Sequence, residues 1–287
     1  MQSFNKYTAT FADLEKRVLE IFRHEKQSVN RNYVLKDLLG LIDLTTLNGD
    51  DTTEKVTSLC AHAMSFEDKQ KGIPNVAAVC VYPVFAQIVH SKLKGTTLKT
   101  ACVAGAFPSG QSPLAIRIEE VKYAIEQGAD EIDMVISRGK LIEGDEDFVW
   151  DEVSQIKEAC GEVHLKVILE TGELKTESLI RKACELSIFG GGDFLKTSTG
   201  KIQPAATPEA FLIMLDTIKE FYNKTGKMIG IKAAGGISEP EDALLYYLLV
   251  KGVLGDKWLS PAYFRIGASR LADKLMDEIG GEFVKGK

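Results

Sequence analysis

The sequence predicts a closed (β/α)8 TIM barrel with an extra N-terminal helix, and three observations carry that expectation. Apolar strand signals recur eight times, at steps of roughly 25–35 residues, with helix patterns between them. These signals are apolar on both faces, as strands held between a packed interior and covering helices must be. The rival arrangement, an open doubly wound sheet, usually has fewer strands and would carry a GxGxxG fingerprint after its first strand, which is missing. The 287 residues exceed a typical domain, yet barrels of this kind run to such a length as one unit. No low-complexity stretch or linker divides the chain, so residues 1–287 read as one domain with a helical extension over about 1–38.

In chain order, residues 10–27 read as an amphipathic helix, with Phe11, Leu14, Val18, Leu19 and Phe22 spaced for one face. Residues 31–40 form a short basic lead-in, expected to act as a lid or plug outside the repeating part. Strand signals follow at 41–47, 76–82, 99–107, 131–136, 164–171, 194–199, 228–234 and 263–268. In the third intervening helix Ile118, Val121 and Ile125 share a face, with Glu119, Glu120 and Lys122 opposite. Phe211, Met214, Leu215, Ile218 and Tyr222 repeat the pattern in the sixth. Thr207-Pro208-Glu209 opens that helix with a capping hydroxyl and a proline at the first position. Ser238-Glu239-Pro240-Glu241 opens the next, and Thr176-Glu177 opens the fifth.

Composition removes several function classes. Hydrophobic residues at 45% and charged residues at 26% are ordinary for a soluble globular protein. A net charge of −6 gives no general attraction to nucleic acid or to an anionic membrane surface, so an anionic substrate needs a local site. The first residues, Met1 to Tyr7, lack the apolar core of a signal peptide, and no segment approaches the ~20 apolar residues that span a bilayer. Five cysteines (Cys60, Cys80, Cys102, Cys160 and Cys184) form no CxxC pair, which predicts reduced, mostly buried thiols in the cytoplasm. The histidines His24, His62, His90 and His164 show no HxxxH or HxH spacing, so no metal site is expected.

The chemistry centres on Asp193-Phe194-Leu195-Lys196-Thr197-Ser198-Thr199-Gly200-Lys201, after the stop Gly190-Gly191-Gly192. A lysine inside a covered apolar strand is costly to keep charged, and a partly neutral amine is a nucleophile that forms Schiff bases with carbonyls. The alternative is a structural lysine whose head reaches solvent at the strand end. Met228-Ile229-Gly230-Ile231-Lys232-Ala233-Ala234-Gly235-Gly236 repeats the design in the next strand. Adjacent parallel strands lie about 4.8 Å apart, so two inward lysine tips approach within roughly 4 Å. At an effective dielectric near 20 the repulsion is about 4 kcal/mol, enough to lower one amine by up to ~3 pKa units.

Active sites of such barrels lie at the strand C-termini. The first strand ends Asp43-Leu44-Thr45-Thr46-Leu47-Asn48, the second carries Cys80, and the fourth carries Asp133 between Ile132 and Met134. In the fifth, Val167 and Leu169 should face the helices, which sends Lys166 inward, ahead of Glu170 and Thr171. Asp133 is the natural partner of these cations, either as a proton relay for Schiff-base chemistry or as a salt bridge that only neutralises a buried lysine. Gly200-Lys201, Gly235-Gly236 and Gly267-Ala268-Ser269 end three consecutive strands and suggest a backbone cradle for phosphate, to which Lys201 and Arg270 add charge. Each turn taken alone reads more simply as a tight strand-to-helix connection.

LIDLTTLNGDDT, VCVYP, DEIDMVI, DFLKTSTGK, GIKAAGG and RIGAS, in that order from about residue 40 to 270, resemble the deoxyribose-phosphate aldolases. DFLKTSTGK followed by GIKAAGG is the specific part. The resemblance implies a barrel enzyme that reversibly cleaves 2-deoxy-D-ribose 5-phosphate into acetaldehyde and D-glyceraldehyde 3-phosphate, in deoxyribonucleoside breakdown, with no metal or organic cofactor. It implies Lys196 as the Schiff-base lysine, Lys232 as the lysine that lowers its pKa, and Asp133 as proton relay. Asp43 and Leu47 match pocket residues, Cys80 the active-site cysteine, and Lys166 the auxiliary lysine. Thr199, Gly200, Lys201, Gly235, Gly236, Gly267 and Ser269 match the substrate and phosphate contacts.

The chain departs from that pattern in three places. The GGxR turn reads Gly235-Gly236-Ile237-Ser238, the second serine of the GASS turn is Arg270, and the tail ends Phe283-Val284-Lys285-Gly286-Lys287 without the tyrosine of some bacterial members. The expected partners are small sugar phosphates and aldehydes, with no nucleic acid and no membrane, and a homodimer as the expected assembly. Alternatives are a sibling lysine-dependent aldolase with another aldehyde pair, and a catalytically silent barrel that binds a sugar phosphate.

Overall fold

The computed structural model describes residues 3–285; Met1, Gln2, Gly286 and Lys287 lie outside the described residues. Eight strands occur where the sequence places them: β1 (Ile42–Thr45), β2 (Ala78–Val81), β3 (Lys99–Ala104), β4 (Glu131–Val135), β5 (His164–Ile168), β6 (Phe194–Lys196), β7 (Gly230–Ala234) and β8 (Phe264–Ala268). They pair in parallel in sequence order, and β8 closes on β1. Several strand signals run past the last ladder position, as at Leu47 and Thr199. There the chain leaves the sheet and the residues turn to the barrel mouth.

Among the described residues twelve α-helices surround the strands: α1 (Phe11–Lys26), α2 (Arg31–Gly40), α3 (Thr53–Met64), α4 (Ala86–Leu93), α5 (Leu114–Glu126) and α6 (Arg138–Glu143) in the first half. The second half carries α7 (Glu146–Cys160), α8 (Thr171–Leu174), α9 (Glu177–Phe189), α10 (Pro208–Thr225), α11 (Pro240–Leu254) and α12 (Leu271–Lys285). The expected starts hold. The Thr176 and Thr207 side chains accept from the amides of Leu179 and Ala210, and Glu239 forms a capping box with Asp242. Among the described residues no helix is long and apolar enough to cross a membrane.

The N-terminal segment forms two helices. α1 starts at a Thr10–Asp13 capping box, buries Leu14 and Val18, and packs along α10 and α11. Leu19, expected on the packed face, is 49% exposed, because one residue beyond Val18 the helix has already turned about 100°. Ile21 takes the neighbouring contact, reaching α11 at Gly252. The bidentate pair of Arg17 with Asp216 (2.7 and 2.9 Å) ties α1 to α10. Residues 31–40, expected as a lid or plug, form α2, capped by Asn30. Its buried Val34, Leu35, Leu38 and Leu39 pack on α11 and α12, while Asp37 and Gly40 line a cavity shared with Glu131 and Arg265.

Register gathers the charges. Asp133 lies opposite Lys166, Ile168 opposite Lys196, Lys196 opposite Lys232, and Lys232 opposite Arg265. Side chains alternate along a strand, so these positions share the inward face while Val167, Leu195 and Ile231 join the apolar layer under the helices. The end of β4 is anchored from outside by a second buried set. Arg117 of α5 donates to Glu152 of α7 (2.6 Å), to the Ser137 hydroxyl (2.9 Å) and to the Val135 carbonyl (2.6 Å). Truncating one member strands the other charge without a partner. Arg117→Met is expected to lower stability in urea unfolding by about 3–5 kcal/mol, and adding Glu152→Leu to recover part of it. An unshifted midpoint in Arg117→Met would show that the pair does not hold β4 in place.

Candidate active site

Inside the barrel one carboxylate meets three amines. Asp133 Oδ1 accepts from Lys166 Nζ, and Asp133 Oδ2 accepts from both Lys196 Nζ and Lys232 Nζ, all at 2.8 Å. Sharing one oxygen keeps the two ammonium positions no farther apart than twice that distance. Lys232 also reaches Asp43 Oδ2 at 2.5 Å, and Lys166 reaches Glu131 Oε2 at 2.6 Å. Arg265 completes the circuit, touching Asp43 Oδ1 at 2.6 Å and Glu131 Oε1 at 2.7 Å. Four basic groups therefore meet three carboxylates. Lys166, Lys232 and Arg265 each contact two carboxylates; among the described residues Lys196 contacts one.

That asymmetry decides the protonation states. Burial and the neighbouring Lys232 charge lower the pKa of Lys196, against the attraction of Asp133. Lys232 is desolvated too, but Asp133 and Asp43 outweigh the loss and raise its pKa. Lys166 goes the same way through Asp133 and Glu131. Burial alone would push Asp133 up, yet Lys166, Lys196 and Lys232 hold it well below the usual carboxylate range. One surplus cation in a dry interior is relieved when a single amine gives up its proton, and the amine with the fewest partners gives it up most easily. Of the basic groups in the circuit, Lys196 is therefore the one whose ammonium the surroundings hold least firmly.

Above this layer a cavity of about 600 Å³ opens at the strand C-termini. Lys196 and Lys232 form its floor; Leu47, Thr199, Gly200 and Lys201 line one wall. Gly235, Gly236, Gly267, Ser269 and Arg270 line the other, with Ser238 beside them. Asp43, Cys80, Asp133 and Lys166 lie beneath, fully buried. Cys80 packs with Leu47, Ala78, Ala101 and Val103, so the side of the barrel facing the lysines is small and apolar. Two glycines have local reasons. Gly235 adopts φ +86°, and a Cβ there would meet the Ala205 Cβ at 2.6 Å; a Cβ on Gly267 would meet the Lys232 Cε at 3.1 Å.

The structure brings together every residue singled out from the sequence and adds others. Arg265 and Glu131 close the ion-pair circuit; alternation along β8 from Gly267 and along β4 from Asp133 puts both on the inward face, but their partners come from other strands. Glu170, at φ +56°, accepts from the Thr199 amide (3.2 Å) and hydroxyl (2.5 Å) and fixes that wall. The hydroxyls after Lys196 serve the backbone. Thr197 and Ser198 donate to the Ala234 carbonyl at 3.1 and 2.5 Å, joining the ends of β6 and β7. Lys201 donates to the Leu47 carbonyl, and Lys55, which pairs with Asp51 at 2.6 Å, adds a third basic group at the rim.

Burial pushes the thiols up, Cys60 to about 11 and Cys160 and Cys184 to about 12, with Cys80 and Cys102 moved in the same direction. All five should resist iodoacetamide near neutral pH in the folded protein and react together once it is denatured. Rapid labelling of Cys80 in native protein would contradict its placement beneath the lysines.

A family model described as DeoC/LacD family aldolase matches residues 38–250. The chain is 45% identical over 249 residues to a human deoxyribose-phosphate aldolase, covering 83% of this chain and 78% of that one. It is 44% identical over 270 residues to the mouse deoxyribose-phosphate aldolase, covering 90% of this chain and 84% of that one. Among solved structures, the tetrameric deoxyribose phosphate aldolase of Aeropyrum pernix superposes with a TM-score of 0.70 at 26% identity, covering 91% of this chain and 97% of that one. The chain belongs to the DeoC/LacD aldolase family.

Proposed function

We propose that this protein is a class I, Schiff-base aldolase that reversibly cleaves 2-deoxy-D-ribose 5-phosphate to acetaldehyde and D-glyceraldehyde 3-phosphate, in cytoplasmic deoxyribonucleoside breakdown. The observation that carries the reading is the singly partnered Lys196 amine at the floor of a cavity with a basic rim. The neutral amine adds to the C1 carbonyl, and loss of water gives a protonated imine. That imine supplies the electron sink a carbon–carbon cleavage needs, so no cofactor is required. Removal of the C3 hydroxyl proton then breaks the C2–C3 bond and releases glyceraldehyde 3-phosphate. The two electrons pass into an enamine at C1–C2; protonation at C2 and hydrolysis release acetaldehyde and restore the amine.

The surrounding residues take roles that follow from their placement. Lys232 keeps Lys196 from holding its proton, and Asp133 relays protons between the amines and the substrate through water. The apolar side at Leu47, with Cys80 buried behind it, fits the two-carbon aldehyde end. Lys201, Arg270 and the amides of the Gly235-Gly236 and Gly267–Ser269 turns, the latter just ahead of α12, fit the phosphate. Arg270 supplies the positive charge that Ser238 does not. A homodimer is the proposed assembly, to be read by light scattering.

Lys196→Ala should abolish turnover of 2-deoxy-D-ribose 5-phosphate while leaving the fold intact by circular dichroism. Lys232→Leu leaves three cations against three carboxylates, so Lys196 should keep its proton to higher pH and the acid limb of the rate profile should move up. Retained turnover in Lys196→Ala would rule out the assigned nucleophile.

A further inference from the structure

Arg265 and Glu131 lie at the end of the barrel away from the substrate. Both line a separate cavity of about 840 Å³ at the N-terminal mouth, where Lys99, Asp130, Glu162 and His164 form part of the rim. Residues at that end of a barrel ordinarily read as stability. Here the two are joined by direct ion pairs to the groups that hold Lys196: Glu131 through Lys166 to Asp133, and Arg265 through Asp43 to Lys232. Arg265 is further fixed by its guanidinium Nε donating to the Pro261 carbonyl, and both side chains are buried.

We propose that the Glu131–Arg265 pair acts from the opposite mouth of the barrel to set the proton occupancy of Lys196 through the net charge of the buried circuit. This rests on the reading of Lys196 as the amine nucleophile. Lys196 faces Asp133 on β4, Lys232 on β7 and Cys80 on β2, with Lys166 on β5, Asp43 on β1, Arg265 on β8 and Glu131 on β4 one or two contacts further. β3 presents Ala101 and Val103, which carry no charge. As built, the circuit has four basic groups and three carboxylates. Removing Glu131 leaves a surplus of two cations and makes the ammonium of Lys196 harder to keep. Removing Arg265 leaves none, and the ammonium becomes easier to keep. Both are positioning residues: neither touches Lys196 or the cavity above it.

The sign of each effect separates this from a structural role. Trace acetylation with acetic anhydride across pH, followed by peptide mass spectrometry, reads the ionisation of Lys196 directly, and turnover of 2-deoxy-D-ribose 5-phosphate is measured in parallel. Glu131→Gln should lower the Lys196 pKa by about one unit, the effect expected of one charge on the order of 10 Å away at an effective dielectric near 20. Arg265→Gln should raise it by a similar amount. The double variant restores the original charge difference and should return Lys196 to its starting value. Arg265→Lys, which keeps the charge, should leave it unmoved and serves if Arg265→Gln does not fold. Shifts of the same sign, no shift, or a double variant no closer to wild type than the singles would overturn the proposal. Opposite shifts in a protein that turns over no deoxyribose 5-phosphate would keep it and reject the proposed substrate instead.

Discussion

Three lysines held by one buried aspartate are the constraint around which this molecule is arranged. A carboxylate in a dry interior needs cations, and Asp133 has more of them than it can fully neutralise. Two of its partners find a second carboxylate, Lys166 at Glu131 and Lys232 at Asp43. The third does not, and its ammonium is the least firmly held of the three. The same amine on a strand edge, facing water, would keep its proton and be inert as a nucleophile.

The closed barrel makes such a cluster tolerable. Parallel strands in register point one residue in two toward a common axis, so Asp43, Asp133, Lys166, Lys196, Lys232 and Arg265 arrive together from six different strands. Each ion would cost several kcal/mol to bury alone, and only the closed circuit of short contacts offsets that penalty. The outer apolar layer keeps the circuit dry, which sustains the low dielectric that makes each charge felt by the next. The cavity at the strand C-termini has Lys196 and Lys232 at its floor, so Lys196 is open to a ligand entering from that end.

Much of this was legible in the sequence, for a physical reason. Two-faced apolar strands and capped amphipathic helices are local signals, so the eight strands and the starts of α9, α10 and α11 could be read from neighbouring residues. The inward direction of Lys166 followed from the apolar partners Val167 and Leu169. What escaped depends on contacts distant along the chain. The role of Arg265 appears only when β8 closes on β1, and that of Glu131, at the start of β4, only when β5 and β8 bring Lys166 and Arg265 to it. The lead-in over residues 31–40 became a helix because α11 and α12 offered its apolar face a partner, and the hydroxyls after Lys196 proved to serve the Ala234 carbonyl.

The most direct test of the account is to treat the protein with acetaldehyde, reduce with borohydride, and locate the ethyl adduct by peptide mass spectrometry. Reductive trapping fixes a transient imine on the nitrogen that formed it, so the result names the nucleophile without reference to turnover. The account predicts the adduct on the peptide carrying Lys196 and on no other lysine of the barrel interior. An adduct on Lys166 or Lys232 would contradict the argument that the amine with the fewest carboxylate partners is the one that reacts.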